Sequence, residues 1–95
     1  MTPEGKVKAA IKKMLETSHV YFFMPSANGY GRSGIPDFVA CINSHFLAIE
    51  AKGGGGTTTA LQERELQRIR AAGGVALVIN ENNLQVLQDA LEERR

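Results

Sequence analysis

The chain has 95 residues, 43% hydrophobic and 6% aromatic, with 11 Lys and Arg against 10 Asp and Glu for a net charge of +1. This length supports one domain, residues 1–95, around a modest core, so any catalysis must use a compact set of side chains. No apolar run approaches the ~20 residues of a membrane span, no signal-peptide core accompanies the Lys-rich start, and the single Cys41 excludes an internal disulfide or a cysteine zinc site; a cytoplasmic setting without a membrane partner is expected.

Thr2-Pro3-Glu4 reads as a helix start, with Thr2 as the cap and Pro3 at the first helical position, where a missing N–H costs nothing. Val7, Ala10, Ile11, Met14 and Leu15 then recur at helical spacing to about Glu16, while Lys6, Lys12 and Lys13 look outward. Four lysines against two glutamates make residues 1–20 the basic part of a nearly neutral chain. Residues 19–24 form a β-branched and aromatic run, a first strand closed by Pro25, and residues 29–34 follow as a glycine-rich loop. Residues 37–42 predict a second strand, Asn43-Ser44 a turn and residues 46–52 a third strand, the last two paired as an antiparallel hairpin.

After the flexible connection 53–58, Thr59 and Gln62 form the capping-box signature of a second helix. Its inner stripe is Leu61, Glu65, Leu66 and Ile69, and Gly73-Gly74 is its stop. The continuous apolar run 75–79 predicts a fully buried strand, parallel to its neighbour because a helical crossover precedes it. Leu84, Leu87 and Leu91 mark a closing helix, giving the order αβββαβα and an α/β fold class.

The chemistry concentrates around Asp37, Glu50 and Lys52. Side chains alternate across a strand, so Glu50 and Lys52 share a face, and the hairpin brings the start of its first strand, with Asp37, beside them. In isolation Glu50-Ala51-Lys52 reads as a surface salt bridge worth ~0–1 kcal/mol. The preceding Phe46-Leu47-Ala48-Ile49 makes this a core strand, however, where charges must be paired or metal-bound. A carboxylate pair there suits a hard cation such as Mg²⁺. Asp37 alone is equally a turn residue after Pro36, and Glu4 alone an acid favouring a helix dipole.

Gly29-Tyr30-Gly31-Arg32-Ser33-Gly34 matches Gly-x-Gly-x-x-Gly but leads into a strand instead of a helix, which excludes a dinucleotide fingerprint. The 53–56 glycines follow Lys52 instead of preceding it, so they are no phosphate-binding P-loop. Seven of the ten glycines fall in these two loops, where a phosphodiester would need close backbone approach. His19 and His45 lack partners at ligand spacing, and Cys41 reads as a core residue.

Glu4 in the first helix, Gly34-Ile35-Pro36-Asp37, Glu50-Ala51-Lys52 and Thr59-x-x-Gln62, in that order, resemble the PD-(D/E)xK nuclease superfamily. Within it the chain is similar, over nearly its whole length, to the virus-type replication-repair nuclease (VRR-NUC) family in its standalone phage or bacterial form. The resemblance implies a restriction-endonuclease-like αβββαβ core with a central mixed four-stranded sheet flanked by helices. It implies that Asp37 and Glu50, with the Ala51 carbonyl, hold Mg²⁺ or Mn²⁺, and that Glu4 is an outer or second-metal ligand. Lys52 is implied as the residue that orients or activates the attacking water, with Gln62 beside the site.

The implied function is that of a metal-dependent DNA endonuclease, acting as a homodimer on structures such as the four-way Holliday junction. DNA contacts are expected from Lys6, Lys8, Lys12, Lys13, Arg32, Arg64 and Arg68, with Arg70 a further candidate on the same helix. The chain departs from its relatives after Lys52, where glycines and threonines replace charged or proline residues. Two alternatives stay open: a non-catalytic DNA-binding or scaffold module of the same fold, and an RNA-directed phosphodiesterase.

Overall fold

The computed structural model describes residues 1–26 and 32–95, so the 27–31 part of the expected glycine-rich loop, with Gly29, Tyr30 and Gly31, lies outside the described residues. Helix α1 (Pro3–Thr17) starts where the sequence places it, with the Gly5 N–H donating to Thr2 Oγ1 at 3.0 Å and Pro3 in the first turn. Val7, Ile11 and Leu15 form its buried stripe. The first strand, β1 (Tyr21–Phe23), is shorter than expected. His19, at φ 56°, still belongs to the turn out of α1, and Pro25 has no N–H with which to extend a ladder.

Strands β2 (Phe38–Ile42) and β3 (His45–Ala51) make the expected hairpin, with Phe38 opposite Ile49 and Ile42 opposite His45. Asn43 and Ser44 sit at φ 48° and 72°, the pair of positive values a two-residue type I′ turn requires to match strand twist. Helix α2 (Ala60–Ala71) opens with the full capping box: the Thr59 N–H donates to Gln62 Oε1 at 2.9 Å, and the Gln62 N–H donates to Thr59 Oγ1 at 3.2 Å. Strand β4 (Val75–Ile79) then pairs parallel with β3, and α3 (Leu84–Glu93) follows. The sheet is mixed and four-stranded, in the order β1-β2-β3-β4, with three helices among the described residues.

Alternation divides the sheet into two unequal faces. Phe38, Ala40, Ile42, Leu47, Ile49 and Ala51 point to one side and pack under α1 and α3, where Ile11, Leu15, Leu87 and Leu91 are fully buried. Ala48 and Ala76 point to the other, under Leu66 and Ile69 of α2. That second layer covers only the β3–β4 half.

Three sequence readings are corrected by this layering. Cys41 lies on the uncovered half of the second face and is exposed, not part of the core. Strand β4 is an edge strand with Val75, Leu77 and Val78 only partly buried, because a strand paired on one side keeps part of its flank open. Leu61 is 45% exposed because in the first turn of α2 it is Gln62 that turns toward the sheet.

Two glycines let the loops close on the helices. A Cβ at Gly34, whose φ is +81°, would stand 2.6–2.8 Å from the Leu61 and Gln62 backbone. One at Gly53 would stand 2.6–2.7 Å from Pro3 and Glu4. The close approach that the glycines permit is therefore, at these two positions, to the helix N-termini of the protein itself. Gly55→Ala, at φ +80° in open space, should meet only the left-handed backbone cost of about 1–2 kcal/mol, whereas Gly34→Ala adds a backbone collision and should lower the calorimetric melting midpoint at least twice as far.

Candidate active site

The β2–β3 register decides where the carboxylates meet. Phe38 faces Ile49, so the preceding Asp37 stands opposite Glu50 at the end of the sheet. Asp37 Oδ2 accepts the Ala51 N–H at 2.8 Å, which fixes the carboxylate against β3. Glu50, on the α2 side of β3, is 2% exposed, and Lys52 beside it 9%. Lys52 Nζ lies 3.4 Å from Glu50 Oε2, and Gln62 Nε2 donates to the same oxygen at 3.0 Å. Gln62 thus caps its own helix through Oε1 and holds Glu50 through Nε2, so one amide couples the start of α2 to the end of β3.

Helix α1 closes the other side. Lys8 Nζ lies 3.4 Å from Asp37 Oδ1 and 3.6 Å from Glu4 Oε2. The result is a continuous series of alternating charges, Glu4–Lys8–Asp37, joined to Glu50–Lys52 where the two central carboxylates adjoin.

The surroundings of Glu50 disfavour its ionised form. Burial pushes the Glu50 carboxyl up, the Asp37 charge and a hydrogen bond with Asp37 add to that push, and Lys52 opposes it; the outcome is a pKa of about 7 against an ordinary 4.5. Burial works to lower Lys8, but the Asp37 and Glu4 carboxylates outweigh it and its pKa is raised.

The expected residues divide accordingly. Asp37, Glu50, Lys52 and Gln62 are brought together, while Glu4 reaches the group only through Lys8. Lys8, expected among the DNA contacts, also pairs with the acidic group while its side chain stays 36% exposed. The Glu4–Lys8 spacing of four residues on one helix was the available signal. Lys6, Lys12, Lys13 and Arg64 are exposed on their helices. Arg32 and Arg68 both contact Glu65, and Arg70 Nη2 donates to the Ala76 carbonyl at 2.7 Å. Glu65 is 3% exposed; a carboxylate within the apolar stripe of α2 was visible in the sequence, but its two arginine partners were not.

Among the described residues no group of three or more His, Cys, Asp and Glu side chains is arranged to hold a metal. The donor set present is two carboxylates, Asp37 and Glu50, with the Ala51 carbonyl adjacent in sequence. Oxygen-only donors of this kind suit Mg²⁺, which binds through one or two carboxylates and keeps several waters. The raised Glu50 pKa fits the same conclusion, because a cation between two adjacent carboxylates relieves the repulsion that a proton otherwise relieves.

A buried glutamate beside a partly buried aspartate, with a flanking lysine and an amide that orients one of them, is a candidate functional site. A scan of protein-family models finds no match to this chain, and neither does a comparison with curated proteins.

The Glu50 shift has a sign that can be tested. A carboxyl with its folded pKa above its unfolded value contributes stability that is fully present below about 4.5 and lost as pH rises through about 7. Glu50→Gln should therefore remove a fall in stability across that window, measured by denaturant unfolding of the wild type and variant without metal. Mg²⁺ should flatten the same fall in the wild type by taking the proton's place.

Proposed function

We propose that this protein is a divalent-metal-dependent DNA endonuclease of the VRR-NUC type, with a restriction-endonuclease-like core. The observation that carries the reading is the junction of Asp37, Glu50, Lys52 and Gln62 at the end of a mixed sheet, in the chain order that the resemblance requires. The order helix, hairpin, crossover helix and parallel strand, on a mixed four-stranded sheet, is compatible with this reading.

Asp37, Glu50 and the Ala51 carbonyl would hold Mg²⁺ or Mn²⁺. When bound, the cation supplies Lewis acidity at a phosphoryl oxygen and acidifies a water. The chain's own groups do the rest. The Ala51 N–H and Gln62 fix the two carboxylates so that no reorganisation is needed at the moment of reaction. Lys52, already held by Glu50, places a positive charge where negative charge grows on the phosphate and is positioned to orient a water. Lys8 balances Asp37 from α1 and limits repulsion within the acidic pair. Glu4 supports the site through Lys8 as an outer group.

DNA would be drawn by Lys6, Lys12 and Lys13 on α1 and by Arg32, Arg64 and Arg68 near α2. A single small domain offers one cleft, so paired cutting of a four-way junction calls for a homodimer. A second reading draws on the Lys8–Asp37 and Lys52–Glu50 contacts: a DNA-binding module in which these ion pairs are structural.

Cleavage decides between them. With Mg²⁺ and a panel of junction, flap and duplex DNAs, the wild type should cut and EDTA should stop it. Asp37→Asn and Lys52→Met should each lower the rate at least ~100-fold while circular dichroism remains native. Uncut DNA under every metal condition, with binding retained in EDTA, would establish the module instead.

A further inference from the structure

Glu65 is a buried carboxylate that the catalytic group does not use. It lies one turn beyond Gln62 on α2, and its two oxygens are shared between two arginines from different elements. Arg32 approaches Oε1 with Nε at 3.3 Å and Nη2 at 3.2 Å, and Arg68 Nη1 approaches Oε2 at 3.5 Å. Both guanidinium side chains are more than half exposed, and donors remain on each. A buried anion that aims two cations outward pre-orients them for a further anion.

These arginines border a cavity of about 330 Å³ whose apolar walls are Phe46 and Ile69, with Gly74 at its edge. That volume is at the small end of ligand sites, of the scale of a nucleotide and far below a duplex. Phe46 is 46% exposed although it lies on a core strand. Gly74 lets Ile69 and Phe46 approach the backbone at this edge, since a Cβ there would stand 2.8 Å from Ile69 and 3.1 Å from Phe46.

The sheet places this cavity in line with the acidic pair. Phe46 and Glu50 are four residues apart on β3 and share the α2 face, so they stand about 13 Å apart along the strand, with the buried Ala48 between them. The register also sets Tyr21 beside Cys41 and Cys41 beside Phe46, which continues an exposed, partly aromatic row across three strands.

We infer that the Arg32–Phe46–Arg68 cavity receives one unpaired nucleotide of the DNA substrate, its base stacked on Phe46 and its phosphate held by the arginines that Glu65 orients. The inference rests on the nuclease reading for its polymer and adds the feature that polymer must have: a base outside the stack a few nucleotides from the scissile bond. Charge favours this occupant over a second copy of the chain. An isologous contact of this face would bring Arg32 and Arg68 toward their own copies, whereas a nucleotide supplies both an aromatic plane and an anion.

The test is fluorescence anisotropy in EDTA, with a labelled duplex carrying one unpaired thymine and the same duplex fully paired. The wild type should favour the unpaired site by about tenfold. Phe46→Ala should reduce that preference to less than threefold, and Phe46→Tyr, which keeps the ring, should retain it. Arg68→Ala should weaken both probes but the unpaired one more. Equal affinity of the wild type for both probes, or a preference untouched by Phe46→Ala, would overturn the inference. Loss of preference accompanied by dissociation of a dimer in light scattering would also overturn it, assigning the face to a second copy. Because binding is read without metal, a preference that survives in a protein unable to cut DNA would leave the cavity standing and remove only the nuclease reading.

Discussion

The antiparallel register of β2 on β3 is the constraint from which the site follows. Asn43 and Ser44 close the hairpin with two residues at positive φ, so the pairing of every residue behind them is set by the turn. Phe38, Ala40, Ile42, Leu47 and Ile49 all bury on the α1 and α3 side under that register. A slip of either strand by one residue would carry its share of them to the opposite face and with them Asp37 or Glu50, separating the carboxylates. Core packing thus guards the juxtaposition of two acids that would otherwise repel each other, and the Ala51 N–H donated to Asp37 ties the hairpin at the same end.

Holding two carboxylates together in a nearly dry place requires compensation from all sides. Lys8 comes from α1, Lys52 from the end of β3 and Gln62 from α2, so three elements meet at one point through polar contacts. Even so, burial and the Asp37 charge leave Glu50 with a pKa near neutrality. Gly34 and Gly53 make the meeting possible by admitting the loops to within backbone contact of α2 and α1.

The same α2 face extends past the acids to Glu65, its two arginines and the half-open row that begins at Phe46. Helix α2 covers β3 and β4 but not β1 and β2, and this asymmetry leaves half of that face exposed. The acidic group and the arginine-lined cavity therefore lie on the same face of the sheet, a consequence of a single crossover helix lying on a four-stranded sheet.

Much of this was determined by local sequence. Helical spacing in α1, the Thr59–Gln62 cap, the hairpin and the parallel placing of β4 are near-neighbour effects, readable from periodicity and turn chemistry. The convergence of Asp37 on Glu50 and Lys52 was legible for the same reason, because alternation and a tight turn leave little choice. Tertiary packing decided what depends on distance in sequence: the pairing of Lys8 with Asp37, the exposure of Cys41 and Leu61, and the partly open edge at β4. Arg32 meets Glu65 across 33 positions, and no local pattern encodes such a contact. Those outcomes depend on which face each layer covers, a property set only when helices and sheet compete for the same apolar surface.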